Sequence, residues 1–94
     1  MKQVHVELGA LVREYRQKAN MTQLDLAQKL GYDSTQFVSL FERGLSKVPF
    51  NVLGQLVIIL GIPEKKVMKT LLDAYETEVK EKMETGKKAA TNVG

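Results

Sequence analysis

Hydrophobic residues recur every three or four positions along most of the chain, which is the spacing of amphipathic α-helices. The first such stretch predicts a helix over residues 7–19. Its predicted buried stripe consists of Leu8, Leu11, Val12, Tyr15 and Ala19. Asn20 and Met21 are then expected to turn the chain. The repeated pattern predicts an all-α fold with five helices.

Two short helices separated by a glycine are predicted by the sequence QLDLAQKLGYDSTQFVSLFERG. Thr22 is suited to the N-cap of the first helix, and Gly31 to the position after its last residue. The second helix is predicted at about residues 34–43, with Asp33 or Ser34 as its cap. Its apolar arc consists of Phe37, Val38, Phe41 and Leu45, and its opposite, polar arc of Thr35, Gln36, Ser39 and Arg43. Short hydrogen-bonding side chains on an exposed helix can approach base edges in a major groove.

Two longer helices are predicted in the second half of the chain. The first covers residues 49–60, and its wide apolar face predicts that it is the most buried helix. This face consists of Val52, Leu53, Leu56, Val57 and Leu60. Pro49 is suited to its first turn and Gly61 to its end. The second begins at Pro63 and is extended, because its apolar positions continue to Met83.

The extended helix, residues 63–84, is predicted to join two copies of the chain. Its apolar stripe outruns the domain by about two turns, and an exposed stripe of this kind needs cover. The predicted dimer-interface residues are Val67, Met68, Leu71, Leu72, Tyr75 and Val79. The alternative is that they only complete the core of the monomer. Residues 85–94 have almost no apolar content, so we expect a disordered tail after a domain of residues 1–84.

The composition excludes several classes of function. The chain has 94 residues, 44% of them hydrophobic, which suits one small domain. It has no cysteine and a single histidine, His5, so neither a thiolate metal site nor a catalytic triad is available. A phosphate-binding P-loop is also missing. We therefore expect a protein that is not an enzyme and needs neither a metal nor a cofactor.

Charge favours a polyanionic partner only weakly, since the net charge is +3 and the isoelectric point about 9.2. The basic residues of the first half are better placed for phosphate contact than those of the last third, where Lys and Glu are mixed. They are Arg13, Arg16, Lys18, Lys29, Arg43 and Lys47. The longest apolar run, residues 56–60, is far shorter than the about 20 residues that cross a bilayer. With no signal-peptide pattern at the start, we expect a cytoplasmic protein.

The pieces described above occur in the order found in one family of DNA-binding proteins. They are LGALVREYR, MTQLDLAQKLG and FVSLFERG in the first three helices, followed by Pro49, Leu53, Leu56, Leu60 and Gly61. Over residues 8–62 the chain resembles the Cro/repressor-type helix-turn-helix regulators, the XRE family. The resemblance implies a five-helix, lambda-repressor-like DNA-binding domain that regulates transcription.

The chain departs from the family pattern in two places. Between Gly31 and Val38 there is one residue more than the family's usual spacing. Either the turn is longer, or Phe37 is taken into the core. Val57 stands where the family usually has a small alanine, which implies a different packing of the fourth helix.

Matching positions in the family pattern imply which residues touch DNA. The base-reading residues implied are Ser34, Thr35, Gln36, Ser39 and Leu40. The phosphate-binding residues implied are Thr22, Gln23, Arg43, Ser46 and Lys47. Gln36 is the strongest candidate, because a carboxamide can bond to both N6 and N7 of adenine. The resemblance also implies a partly buried ion pair between Arg16 and Glu42.

The function implied is a homodimer that binds a palindromic operator on double-stranded DNA and represses transcription. Two recognition helices related by a twofold axis should read half-sites about 34 Å apart, or one helical turn. The alternative is an antitoxin or another protein-interaction module that also binds DNA. Its protein partner, a toxin or another regulator, would be held by the fifth helix or the tail.

Overall fold

Over residues 2–92, which are the residues described, the computed structural model consists of five α-helices joined by short connections. α1 spans Lys2–Lys18, α2 Gln23–Lys29, α3 Gln36–Glu42, α4 Phe50–Leu60 and α5 Glu64–Thr91. The prediction of an all-α fold with five helices and an extended last helix is confirmed. None of these five helices combines the length and the apolar character needed to cross a membrane.

The core collects the inward faces of α1 to α4 together with the first turns of α5. Its buried residues are Leu8, Leu11, Val12, Leu26, Ala27, Val38, Phe41, Val52, Leu53, Leu56, Leu60, Ile62 and Val67. Burying one such aliphatic side chain contributes about 1.5–3 kcal/mol. α4 buries one apolar face, but Phe50 and Ile58 on its other side are exposed. The prediction that it is the most buried helix is therefore wrong, since three of the seven residues of α3 are buried against four of 11 in α4. Val57 is half-buried against the core.

α1 begins at Lys2, before the predicted start at residue 7. Residues 2–6 contain neither Gly nor Pro, and the Gln3 Nε2 donates a hydrogen bond of 2.7 Å to the Glu7 Oε1. The helix ends at Lys18, and Asn20 turns the chain with a φ of 57°. Ala19 therefore lies in the turn and is exposed, so its place in the predicted buried stripe is wrong.

α1 and α3 approach each other closely at Gly9. A Cβ at this position would overlap with the carbonyl oxygen of Phe41 and would lie 2.9 Å from that of Glu42. Any larger residue would have to separate the two helices, because both obstacles are backbone atoms. Gly9 thus sets how deeply α3 lies against α1.

Two helices end as their glycines predict. Gly61 follows the last turn of α4 in the left-handed conformation, with φ 66°, and its N–H donates to the Val57 carbonyl. Gly31 follows α2 with a φ of 84°. This conformation strains residues that have a Cβ, so the sharp turns after α2 and α4 depend on glycine.

α5 differs from its prediction at both ends. Val67 is only 3% exposed and lies in the core, which removes it from the predicted dimer interface. Leu71 also packs partly against the core. The helix continues to Thr91, past the expected end at residues 85–86, because Lys87, Ala89 and Ala90 are good helix formers. Residues 93–94 of the predicted tail lie outside the described residues.

Candidate nucleic-acid interface

α2, the connection over residues 30–35, and α3 form a unit whose inner side is sealed by apolar packing. Leu26 and Ala27 on α2 and Val38 and Phe41 on α3 are all completely buried. Buried side chains at this density fix the angle between two helices. One side of α3 is therefore held in the core, and its other side is presented to solvent.

The first turn of α2 is closed by a capping box between Thr22 and Asp25. The Thr22 Oγ1 accepts a hydrogen bond of 3.0 Å from the Asp25 N–H, and the Asp25 Oδ2 accepts one of 2.9 Å from the Thr22 N–H. Thr22 is thus the N-cap, as predicted. The hydrogen bond from the Thr22 N–H lowers the pKa of Asp25. The side-chain hydroxyl of Thr22, hydrogen-bonded to the same carboxylate, adds to this lowering.

Arg16 and Glu42 form the ion pair that the family resemblance implies. The Arg16 Nε lies 2.7 Å from the Glu42 Oε2, and the Arg16 Nη2 donates to the Glu42 Oε1 at 3.1 Å. Only 11% of the Arg16 side chain and 2% of the Glu42 side chain are exposed. The Arg16 Nη1 also donates to the Met21 carbonyl at 2.8 Å. The pair therefore links α1, the turn before α2 and the end of α3.

Gln23 belongs to the same polar cluster. Its Nε2 donates to the Glu42 Oε1 at 3.1 Å, so the first turn of α2 is bonded to the end of α3. The resemblance implies a phosphate contact for Gln23, but its side-chain nitrogen is already used inside the chain. The two residues are 19 positions apart, and no local spacing in the sequence signals this bond. The capping box, in contrast, has a local signal, because an acidic residue three positions after Thr22 is typical of it.

An aromatic row fills the space beside the connection between α2 and α3. The ring centroids of Tyr32 and Phe37 are 4.8 Å apart, and those of Phe37 and Phe41 are 5.1 Å apart. Both pairs meet edge to face, which is a favourable geometry for aromatic rings. Phe37 is half-buried against the core. Both alternatives for the additional residue are present, because Phe37 packs against the core and the connection runs to Thr35 before α3 begins.

α3 starts later than its predicted caps. Thr35 occupies the N-cap position, with φ −80° and ψ −5°, but its side chain makes no cap bond. Ser34 only accepts a hydrogen bond of 3.4 Å from the Gln36 N–H. The prediction of Asp33 or Ser34 as the cap is therefore wrong.

The side chains implied to read bases lie at the start of α3 and on its outward side. Ser34 and Gln36 are exposed, and Thr35, Ser39 and Leu40 are half-buried. Within residues 2–92, no hydrogen bond engages the side-chain amide of Gln36. Both its donor and its acceptor are therefore available to a molecule that approaches this face.

Basic and hydroxyl side chains follow α3 at the edge of this face. Arg43 is exposed, and its Nε donates to the Ser39 carbonyl at 3.2 Å, so its stem lies along the helix. The Ser46 hydroxyl donates to the Lys47 carbonyl at 3.2 Å, and Lys47 is exposed. Leu45 was expected on the apolar arc of α3, but it follows the end of the helix and is 64% exposed.

The chemistry of this surface is hydrogen bonding and positive charge. Amide, hydroxyl and guanidinium groups stand together over residues 34–47 and suit the edges and phosphates of a nucleic acid. In the part of the chain that is described, no group of three or more His, Asp or Glu side chains could hold a metal ion.

Comparison with known proteins agrees with this geometry. A family model described as a helix-turn-helix domain matches residues 7–69, from the middle of α1 to the first turns of α5. No curated protein matches the chain. Among solved structures, a mutant of the restriction-modification controller protein C.Esp1396I is similar, with a TM-score of 0.62 and 22% sequence identity. The match covers 77% of this chain and 95% of that chain, and at this identity it shows the fold alone.

Proposed function

We propose that this chain, which belongs to the helix-turn-helix domain family, is a repressor that binds a palindromic operator as a homodimer. The family supports the coarser statement, a DNA-binding transcriptional regulator. The finer proposal rests on the outward face of α3, where Gln36 is exposed and its amide has no partner within residues 2–92. This function requires neither catalysis nor a cofactor.

Sequence would be read by the side chains at the start and on the outward side of α3. Gln36 can pair with adenine through two hydrogen bonds, and the hydroxyls of Ser34, Thr35 and Ser39 can pair with several bases. Leu40 is half-buried at the edge of this face, where it can touch a thymine methyl group. Specificity would come mainly from Gln36, because it can form two bonds to one base.

Phosphates would be bound on both sides of the reading face. The Thr22 hydroxyl and the free N–H groups of the first turn of α2 suit one phosphate. Arg43, Ser46 and Lys47 suit the next stretch of backbone. Gln23 would contribute less by direct contact than by its bond to Glu42, which fixes the distance between the two sides.

The second copy would pack against the outer stripe of α5. Met68, Leu72 and Tyr75 are 50%, 60% and 52% exposed, and Val79 continues the stripe at 36%. Two recognition helices joined in this way would read half-sites about one helical turn, or roughly 34 Å, apart. A dimer bound across a promoter would then block transcription by occupying it. The structurally similar protein is named as a controller of restriction and modification, which is one use of such a regulator.

The α5 stripe also keeps the second candidate open, a regulator whose fifth helix holds a different protein such as a toxin. Both candidates bind DNA through α3, and they differ in what covers α5. Substituting Leu72→Glu together with Tyr75→Glu should give a folded monomer with weaker operator binding if a second copy covers the stripe. A variant that keeps the mass and affinity of the wild type would favour the other protein.

Selection from a random duplex pool tests the proposal directly. Enriched and scrambled duplexes are compared at two salt concentrations, since phosphate contacts alone give binding that salt weakens on every sequence. We expect an enriched palindrome with half-sites one helical turn apart. Weak binding that salt abolishes equally on all sequences would contradict sequence-specific repression.

A further inference from the structure

α4 has an unusual composition for a helix at the surface of a small domain. Its sequence, FNVLGQLVIIL, contains no charged residue. Four residues on one side of α4 are buried in the core. On the opposite side Phe50 is 85% exposed and Ile58 is 83% exposed. Large apolar side chains that stand together on an exposed face are typical of a contact surface, although Asn51 and Gln55 beside them are exposed polar residues.

Phe50, Gly54 and Ile58 are spaced four residues apart and form a single line along this outward side, here called the α4 row. A Cβ added at Gly54 would meet no atom within 4 Å. Packing within the chain therefore gives no reason for glycine there, and glycine is a poor helix former. A glycine in the middle of an exposed row does allow a second backbone to approach closely.

We propose that the α4 row packs against the α4 row of a second copy, in antiparallel orientation, around a twofold axis at Gly54. Read from either end, the row consists of a large, a small and a large residue, so it can fit an antiparallel copy of itself. In this arrangement Phe50 lies against Ile58 of the other copy, and the two Gly54 residues meet at the axis. The α4 row of the second copy is complementary in shape to that of the first, because each large residue lies against a large residue and each glycine against a glycine.

The absence of charge favours a second copy over a different partner. A twofold contact brings each residue near the axis close to its own copy, so a charged side chain there would meet a like charge. α4 has none to meet. A groove for an acidic or basic partner would instead need a complementary charge, and α4 offers only Asn51 and Gln55 as polar residues.

The contact is small. An aromatic residue buries roughly 150–250 Å², so two Phe50 and two Ile58 side chains cover several hundred Å². Stable interfaces bury at least roughly 1,200 Å² in total. The α4 contact is therefore weak alone and forms where copies are concentrated, for example on neighbouring sites of one DNA molecule. It uses residues separate from the proposed α5 interface and does not depend on it.

Disulfide trapping tests the pairing. The chain has no cysteine, so a Gly54→Cys variant can form a disulfide only with another copy. A twofold axis at residue 54 brings the two Cα atoms near the roughly 4.4–6.8 Å that a disulfide requires. The control is Gln28→Cys, which places an exposed thiol on α2. Under mild oxidation we expect Gly54→Cys to form the covalent dimer at least about ten times faster than Gln28→Cys.

A charge substitution gives an independent measurement. Ile58→Lys should lower the mean mass seen by sedimentation at high protein concentration, whereas Gln55→Lys, beside the row, should not. Equal oxidation rates of the two cysteine variants, or an unchanged mass of Ile58→Lys, would overturn the α4 contact. Trapping is repeated in a chain that also carries Leu72→Glu and Tyr75→Glu. If Gly54→Cys still oxidises faster than Gln28→Cys in this background, the α4 contact is supported whether or not the α5 dimer exists.

Discussion

Two ion pairs of almost equal length act differently in two regions of the molecule. Arg16 and Glu42 are 2.7 Å apart, with 11% and 2% of their side chains exposed. On α5, Lys80 and Glu76 are 2.8 Å apart, with 68% and 63% exposed. Water screens the second pair but hardly reaches the first. Only the buried pair can hold helices in place, and it does so between α1 and α3.

Apolar side chains show the same contrast between the two regions. On α3, Val38 and Phe41 are completely buried, while Leu72 and Tyr75 on α5 are more than half exposed. The region around α3 is therefore complete within one chain. We propose that the outer faces of α4 and α5 are completed by a second copy. In this proposal the region around α3 provides the surface that binds DNA, and the outer faces of α4 and α5 provide the contacts that bring two copies together.

The largest effect should come from breaking the buried pair. Glu42→Ala leaves the Arg16 guanidinium buried without its partner and removes the bond from Gln23, which should cost about 3–5 kcal/mol of unfolding free energy. Urea unfolding measures the loss. Glu76→Ala is the matched control on α5, because it breaks a pair of the same length in water. Similar urea midpoints for Glu42→Ala and Glu76→Ala would show that the buried pair contributes no more to stability than the exposed one.

The region around α3, with α1 and α2 packed against it, was more predictable from sequence than the outer faces of α4 and α5. Gly31 and Gly61 identified two helix ends, because a left-handed turn is strained for other residues. The pair of Arg16 and Glu42 followed from resemblance, since nothing in the spacing of two residues 26 apart requires contact. The bond from Gln23 to Glu42 was missed because it depends on how α2 packs against α3.

The outer faces of α4 and α5 were harder to predict. Periodicity shows which positions are apolar, but it does not show which part of the molecule covers them. α5 carries two neighbouring apolar stripes. Val67, Leu71 and Ala74 face α1 and the core, while Leu72 and Tyr75 face solvent. A helical pattern places these stripes side by side, so the sequence assigned Val67 to the wrong one. The same reasoning gave α4 one apolar face and did not indicate that Phe50 and Ile58 are exposed on its other side.

A smaller effect should distinguish base reading from phosphate binding within the proposed DNA interface, residues 34–47. Gln36→Ala should cost about 1–3 kcal/mol of binding free energy at the selected operator and relax the preference at one base pair. Its fold should be unchanged, because Gln36 is exposed. Titration of operator and scrambled duplexes measures both values. Lys47→Ala is the control, and it should weaken all sequences alike and flatten the salt dependence. Equal losses for Gln36→Ala on both duplexes would refute its base-reading role.

The smallest effects belong to the cap of α2, which again contrasts with α5, whose N-cap Pro63 makes no side-chain bond. Thr22→Ala should lower the free energy of unfolding by about 1 kcal/mol, whereas Thr22→Ser keeps the hydroxyl and should lose little. If the Thr22 hydroxyl also binds phosphate, Thr22→Ala weakens DNA binding equally on all sequences while Thr22→Ser does not. Loss of stability without loss of affinity would restrict Thr22 to the cap.

The pH dependence of the cap follows from Asp25. Hydrogen bonding to the Thr22 N–H lowers the pKa of Asp25 in the folded chain. A lowered pKa means that the carboxylate stabilises the fold above its unfolded pKa of about 3.9 and loses this contribution as the pH falls through the folded value. The stabilities of the wild type and Asp25→Ala should therefore differ near neutral pH and converge below about pH 4. A difference that stays constant into acid would mean that the Asp25 charge contributes nothing to the cap, and that the cap depends on the bond from the Asp25 N–H to the Thr22 Oγ1.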